Sequence, residues 1–230
     1  MKSKIALSVL LGVVSVCCFA TEKEYLRFHR LFTDHAVLQQ NVEKHPFRGS
    51  ASAGSPVEIQ FRGNKAVVTA DEKGKWCAVL PTGAAGSGFE LKAVCGEETI
   101  VAKNIAVGEV WFVSGQSNAE FPLSNFKDGA KWAKDADYPQ IRFQTQTWQY
   151  PLNGQNDSWK VLDEKSAIHF SATGFFFAKE LHKKQNVPVG VIVSAGSGSV
   201  INKWVPQDAL AQIPHARQKV IKSYENARDA

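Results

Sequence analysis

From about residue 22 to residue 106, apolar and polar residues alternate over short runs. Val57-Glu58-Ile59-Gln60-Phe61 is the clearest case, and Ala66 to Ala70, Trp76 to Leu80, Phe89 to Val94 and Thr99 to Val101 repeat it. A period of two places successive side chains on opposite faces of a strand. Turn-forming residues separate the runs: Ala53-Gly54-Ser55-Pro56, Arg62-Gly63-Asn64, Asp71 to Gly74 and Gly86-Ser87-Gly88. Short strands at this spacing predict an antiparallel β-sandwich over residues 21–105, with Phe61 and Trp76 in its core. Gly49 with Ser50 to Ala53 is expected to mark a tight corner.

The pattern changes after Gly108. Glu109 to Val113 is a nearly continuous apolar run, as is Pro188 to Ser194. Between them, residues 119–170 read as irregular and polar, with a short helix near Asp128 to Asp135 and a loop at Asn153 to Asp157. Ser171 is placed to cap a helix through Phe175, Ala178 and Leu181 that ends near Gln185, where Asn186 and Pro188 stop it. Strand, crossover helix and strand predict two parallel neighbours, the start of an α/β domain over residues 106–230. The tail from Gln207 reads as helical, broken at Pro214.

Composition and charge narrow the class. The 230 residues are 44% hydrophobic and 21% charged, as in an ordinary globular protein. Lys2 and Lys4 precede an apolar run, Ile5 to Val16, and small residues close it at Ala20. That is the layout of a secretory signal peptide over residues 1–20, so an exported protein is expected, periplasmic or extracellular, with no membrane contact after cleavage. Loss of both lysines takes the formal charge from +5 to +3. The remaining basic residues are scattered, which excludes a nucleic-acid surface. Cys77 and Cys95 flank the glycine-rich turn symmetrically. They are either a cross-strand disulfide or two free thiols. No Cys-x-x-Cys or His-Cys cluster suggests a metal, and no cofactor is implied.

Both apolar strands end in small serine-bearing loops, Ser114-Gly115-Gln116-Ser117-Asn118 and Ser194-Ala195-Gly196-Ser197-Gly198-Ser199. Ligand sites in open α/β sheets form beyond the carboxyl ends of the strands, so the two loops should meet. A serine on one and a glycine N–H on the other suit a nucleophile beside an oxyanion hole. Two ordinary surface turns are the alternative.

Several runs together carry a resemblance. They are Leu31-Phe32-Thr33-Asp34-His35-Ala36-Val37-Leu38-Gln39-Gln40, Asp71-Glu72-Lys73-Gly74-Lys75-Trp76, and Val107-Gly108-Glu109-Val110-Trp111-Phe112-Val113 continuing into Ser114-Gly115-Gln116-Ser117-Asn118. Phe170 to His182 and Asn186 to Gly190 follow in order. On these residues the chain resembles the sialate O-acetylesterase family of carbohydrate esterases, in the SGNH-hydrolase superfamily. The resemblance implies a flavodoxin-like α/β domain, incomplete here, behind the sandwich. It implies hydrolysis of acetyl esters on sialic acid or plant polysaccharide. Ser117 matches the nucleophile, and its own N–H and that of Gly198 match the oxyanion hole. Gln116, Asn118 and Asn202 are possible substrate contacts. Trp204 is either a sugar platform or, more simply, a packing aromatic.

The chain also departs from the family pattern. Ala119 stands where Met is usual, Gly196 replaces a Trp, Ser197 a Gly, and Asn202 a frequent Glu. A wider or more polar acyl pocket is expected. A serine esterase needs a base, almost always His with an orienting acid. His29, His35, His45, His169, His182 and His215 are the six histidines, and none stands in an Asp-x-x-His setting. His182 is expected at the wrong end of the sheet, and His169, preceding the helix, far from the strand tips. The base is therefore expected beyond Ala230, and the chain to be the N-terminal portion of an esterase. The alternative is a non-catalytic sugar-binding or interaction module that keeps a vestigial hydrolase half.

Overall fold

Alternation along Pro56–Phe61 (β4) buries Val57, Ile59 and Phe61 on one face. The chain then reverses at Arg62-Gly63, both at positive φ, and returns as Asn64–Thr69 (β5). Two positive-φ residues make the turn whose twist suits a tight hairpin. The computed structural model describes residues 25–146, 158–217, 221–222 and 226. The expected signal peptide and the loop at 153–157 lie outside them.

Before β4 come Arg27–Phe28 (β1), Val37–Gln39 (β2) and His45–Ser50 (β3). After β5 come Lys75–Leu80 (β6), Gly86–Cys95 (β7) and the 18-residue Glu98–Gly115 (β8). Strands β1, β3 and β6 form a three-stranded antiparallel sheet. It shares a core with the antiparallel β5-β4-β7-β8 part of a larger sheet, built on Phe47, Ile59, Phe61, Trp76, Leu91 and Ile105. Each fully buried Phe adds about 1.5–3 kcal/mol of transfer free energy.

The larger sheet has eight strands, seven of them in the order β10-β9-β11-β8-β7-β4-β5 with β2 pairing β8. Its second half is Asp137–Thr145 (β9), Lys160–Asp163 (β10) and Val189–Ala195 (β11). As expected, β11 runs parallel to β8 as its neighbour, from Val189 opposite Glu109 to Ala195 opposite Gly115. On its other side β11 pairs parallel with β9.

The helices are Ser117–Glu120 (α1), Gly129–Lys134 (α2), Glu164–Ala167 (α3), Ala172–Gln185 (α4), Gln207–Ala211 (α5) and Pro214–Ala216 (α6). The Ser171 hydroxyl caps α4 by accepting the Gly174 N–H at 3.2 Å, and Asn186 ends it in the left-handed region. A second core joins α4 to the sheet through Ile141, Phe143, Leu162, Phe170, Phe175 and Val191. Phe143 and Phe170 stack at 4.2 Å.

Several expectations are corrected. Residues 119–170 are not irregular, since they hold β9 and β10. The run Ile141-Arg142-Phe143-Gln144 is buried throughout, so two polar residues inside the sheet disguise a strand. The segments 99–101 and 109–113 are one strand, β8, bent at Asn104, which has φ +53°. Gly49 is not a corner. It lies within β3, where an added Cβ would meet the Trp76 ring at 2.2 Å and the Arg27 carbonyl at 2.0 Å. Cys77 and Cys95 are free thiols. β6 and β7 belong to different sheets, so the glycine-rich turn is not a hairpin, and Cys77 faces outward between Trp76 and Ala78.

Arg142 ties the two halves. It is 2% exposed, and its guanidinium donates to the carbonyls of Asn104 and His35 and to Asn104 Oδ1. Burial pushes its pKa down to about 10, so it stays charged at neutral pH on neutral acceptors. Arg142→Met strands those acceptors and should cost about 2–4 kcal/mol in urea unfolding.

His45 lies between the rings of Phe32 and Phe47, and its Nδ1 has no partner among the described residues. Burial first, and Arg48 second, lower its pKa. The unfolded chain therefore binds this proton more readily, and stability falls as pH drops below the ordinary histidine value of about 6.5. His45→Phe should lose less stability between pH 7.5 and 5.5 than the wild type, read by denaturant midpoints at each pH.

Candidate functional site

The carboxyl ends of β8 and β11 lie side by side. Ser114 and Gly115 stand opposite Ser194 and Ala195, and the Gly196 N–H donates to the Gly115 carbonyl at 3.0 Å. At Gly115 the chain turns with φ +146°, a region that favours glycine. Gln116 then precedes the single turn α1, of which Ser117 is the first residue. The N–H groups of a helix's first turn have no intrahelical acceptor. Ser117 is exposed, and among the described residues its hydroxyl makes no hydrogen bond.

The second loop is held against the first by side chains of α1 and its cap. Gln116 Nε2 donates to the Ser199 carbonyl. One Glu120 oxygen accepts both the Ser197 N–H, at 2.6 Å, and the Ser197 hydroxyl. Gly198 lies between these anchors at φ +71°, and nothing stands within 4 Å of where its Cβ would be. The space beside it is open.

Other expected residues sort differently. The Asn118 carbonyl accepts from Thr173 Oγ1 at 3.1 Å, which fixes α1 on the start of α4. Asn202, in a single 3₁₀ turn at Ile201–Trp204, has a buried Oδ1 without a partner among the described residues. Trp204 Nε1 donates to Ser199 Oγ at 3.0 Å, a packing role at the loop's edge. Glu120 carries no signal of its own in the sequence. Its carboxylate beside a serine that replaces glycine is visible only in the folded loops.

The histidines need one correction. The start of α4 is not far from the strand tips. The Ala172 N–H donates to the Phe121 carbonyl, Leu123 N–H to Phe170, and Ser124 N–H to Ile168. A helix following β8 and running back along the sheet must begin at its carboxyl end, so exposed His169 belongs to the site's side of the sheet. His182 is at the other end, with Nδ1 2.8 Å from the Val187 carbonyl. His35 Nδ1 is 3.0 Å from Asn104 Nδ2. Among the described residues no histidine is hydrogen-bonded to Ser117, and no group of three His, Cys, Asp or Glu side chains forms a metal site.

A mixed sheet, parallel at its site end, with a serine at one strand tip and a glycine loop at the next, is the class of arrangement found in α/β hydrolytic enzymes. Residues 107–228, just over half of the chain, match the carbohydrate esterase family of sialic acid-specific acetylesterases, and the chain belongs to that family. It is similar to the sialate O-acetylesterase of Rattus norvegicus, 24% identical over 220 residues that cover 84% of this chain and 40% of that protein. The Homo sapiens sialate O-acetylesterase is 23% identical over 203 residues, 77% of this chain and 38% of that protein. A solved carbohydrate acetylesterase from Xanthomonas citri superposes with a TM-score of 0.75 at 32% identity, covering 82% of this chain and 44% of that one. The chain thus spans about two fifths of the length of the curated relatives it matches.

The Glu120 tie is testable by itself. A hydrogen bond to a charged acceptor contributes about 1.5–3 kcal/mol. Glu120→Ala should speed Ser197 amide exchange at least about tenfold, with Glu120→Gln nearer the wild type, while the unfolding midpoint barely moves.

Proposed function

We propose that this protein hydrolyses acetyl esters on carbohydrates, as its family membership indicates, and that Ser117 is the nucleophile. The observation that carries the reading is the joining of the two strand tips, with Ser117 on one and open, positive-φ Gly198 on the other. Ser117 Oγ would attack the acetyl carbonyl carbon, and the N–H groups of Ser117 and Gly198 would take the developing oxyanion. The sugar hydroxyl would leave with a proton, and water would release acetate from the acetyl-enzyme. No cofactor enters these steps. Gln116 and Asn118 border the site through their backbones, and Asn202, whose buried Oδ1 has no partner among the described residues, would reach a sugar hydroxyl or N–H only after a shift of its 3₁₀ turn.

In this reading the α/β half is a flavodoxin-like hydrolase domain of the SGNH type. The division near residue 106 falls where β8 exchanges β7 for β11 as its neighbour. Export is proposed from residues 1–20. No helix among the described residues is long and apolar enough to cross a membrane. Sialic acid and plant polysaccharide are the acetylated substrates proposed. The base and its orienting acid are proposed to come from sequence beyond this chain, because His29, His35, His45 and His182 all stand apart from Ser117 and His169, on the site's side, makes no hydrogen bond to it. That separation also favours the second reading, a sugar-binding module without turnover.

The two readings part on covalent trapping and turnover. An unassisted serine hydroxyl is a poor nucleophile, and oxyanion donors alone leave roughly 10³ over water. The chain by itself should hydrolyse 4-nitrophenyl acetate barely above background. A fluorophosphonate should nonetheless modify Ser117 in preference to other exposed serines, and Ser117→Ala should abolish that adduct. Labelling spread evenly over surface serines would favour the binding module. Ordinary esterase turnover by this chain would place the base within it, with His169→Ala the next variant to assay.

A further inference from the structure

Strands β1, β3 and β6 bring together cations that the sequence keeps apart. Arg27 stands opposite Ser50, and Ser50 opposite Lys75, so the three make one row across the sheet. The His29 N–H donates to the Arg48 carbonyl at 2.8 Å, and Arg48 stands opposite Cys77, which makes a second row. Between the rows, Phe28 and Trp76 turn to the core. Side chains alternate between the faces of a strand, so both cationic rows lie on the outer face. Arg27, His29, Arg48, Lys75 and Cys77 are all exposed. Positions in such a grid are about 5 Å apart across strands and about 7 Å apart along one.

A cavity of about 420 Å³ opens over these rows. One carboxylate, Asp71, lines it against the three cations Arg27, Arg48 and Lys75. The Asp71 Oδ1 already accepts the N–H groups of Lys73 and Lys75, at 2.9 and 2.8 Å. Among the described residues the guanidinium groups of Arg27 and Arg48 make no hydrogen bond or ion pair. His29 feels the positive field, since burial first, and Arg30 and Arg48 after it, lower its pKa. Grouped cations repel one another. A bound anion relieves that repulsion and accepts charge-assisted hydrogen bonds.

We propose that the outer face of β1, β3 and β6 binds an acidic glycan through its carboxylates, with Arg27 and Arg48 as the principal donors. A guanidinium presents a planar fork that matches a carboxylate, whereas Lys75 adds a point charge. Cations spread over two rows about 7 Å apart suit a chain with a carboxylate on successive rings, an oligouronide, better than a single terminal acid. Partly buried Phe28 lines the same cavity and offers apolar surface to a sugar ring. That sugars carry the carboxylates rests on the proposed carbohydrate esterase function; the anion site rests on the sheet alone. The three-stranded sheet does not include β8 or β11, so this contact is separate from the strand tips that bear Ser117 and Gly198.

The test titrates the full chain with digalacturonate. Galactobiose is the neutral control, N-acetylneuraminate the single-acid arm, and tricarballylate a carboxylate without a sugar. Calorimetry reads affinity, and ¹⁵N–¹H spectra read the place. Digalacturonate should shift the amides of residues 27–29, 48 and 75–77, and its binding should weaken as salt is raised. Arg27→Gln and Arg48→Gln should each weaken it at least about tenfold, with Arg48→Lys weakening it less. Lys65→Gln, which removes an exposed cation on β5, should leave it unchanged. Every arm can be run on the Ser117→Ala chain, so failure here is separable from failure of the esterase function. No binding of digalacturonate, equal binding of galactobiose or tricarballylate, tighter binding of N-acetylneuraminate, or affinity indifferent to both arginine variants would each overturn the proposal.

Discussion

The parallel pairing of β8 with β11 depends on two close approaches that only glycine permits. At Gly108 an added Cβ would meet the Pro188 carbonyl oxygen at 2.0 Å. At Gly190 it would meet Val37 Cβ at 2.6 Å and the Trp159 ring at 3.2 Å. These contacts let one strand leave the sandwich core, pass β2 and enter a parallel sheet without a break. Trp159 fastens the same junction from the other half by donating Nε1 to the Leu31 carbonyl at 3.0 Å. The buried Arg142 guanidinium then bridges β9 to the bend at Asn104.

The chemistry follows from that pairing. Because Gly115 and Ala195 end in register, the two loops begin at the same height above the sheet. Gly115 turns the first loop sharply enough to bring Ser117 to the start of a helical turn, and Gln116 and Glu120 hold the second loop beside it. In the proposed mechanism the residues around Ser117 serve oxyanion binding more than proton transfer. The start of α4, bearing His169, abuts the segment just after α1.

Much of the fold was legible because period and chemistry agreed. Val57 to Phe61 alternates and is a strand. Val189 to Val193 is apolar throughout and is buried between two parallel neighbours. β9 was hidden because Arg142 and Gln144 are polar and fully inside, their donors satisfied by distant backbone that no local pattern announces. The cysteines misled because symmetric spacing about a glycine turn implies a hairpin only when both strands stay in one sheet. At the site, Gly-Gln-Ser-Asn after an apolar strand marked Ser117. The tie between Glu120 and Ser197 joins residues 77 apart and leaves no trace in spacing.

The central claim is that the tips of β8 and β11 form one site. Phosphonylation of Ser117 supplies an oxygen that mimics the developing oxyanion, and oxyanion donors must lie about 3 Å from it. The direct measurement is the ¹⁵N–¹H resonance of Gly198 before and after that adduct forms. The account predicts a downfield shift of the Gly198 amide proton and slower exchange, because its N–H acquires a charged acceptor. A Gly198 resonance unmoved by a stoichiometric Ser117 adduct would contradict it.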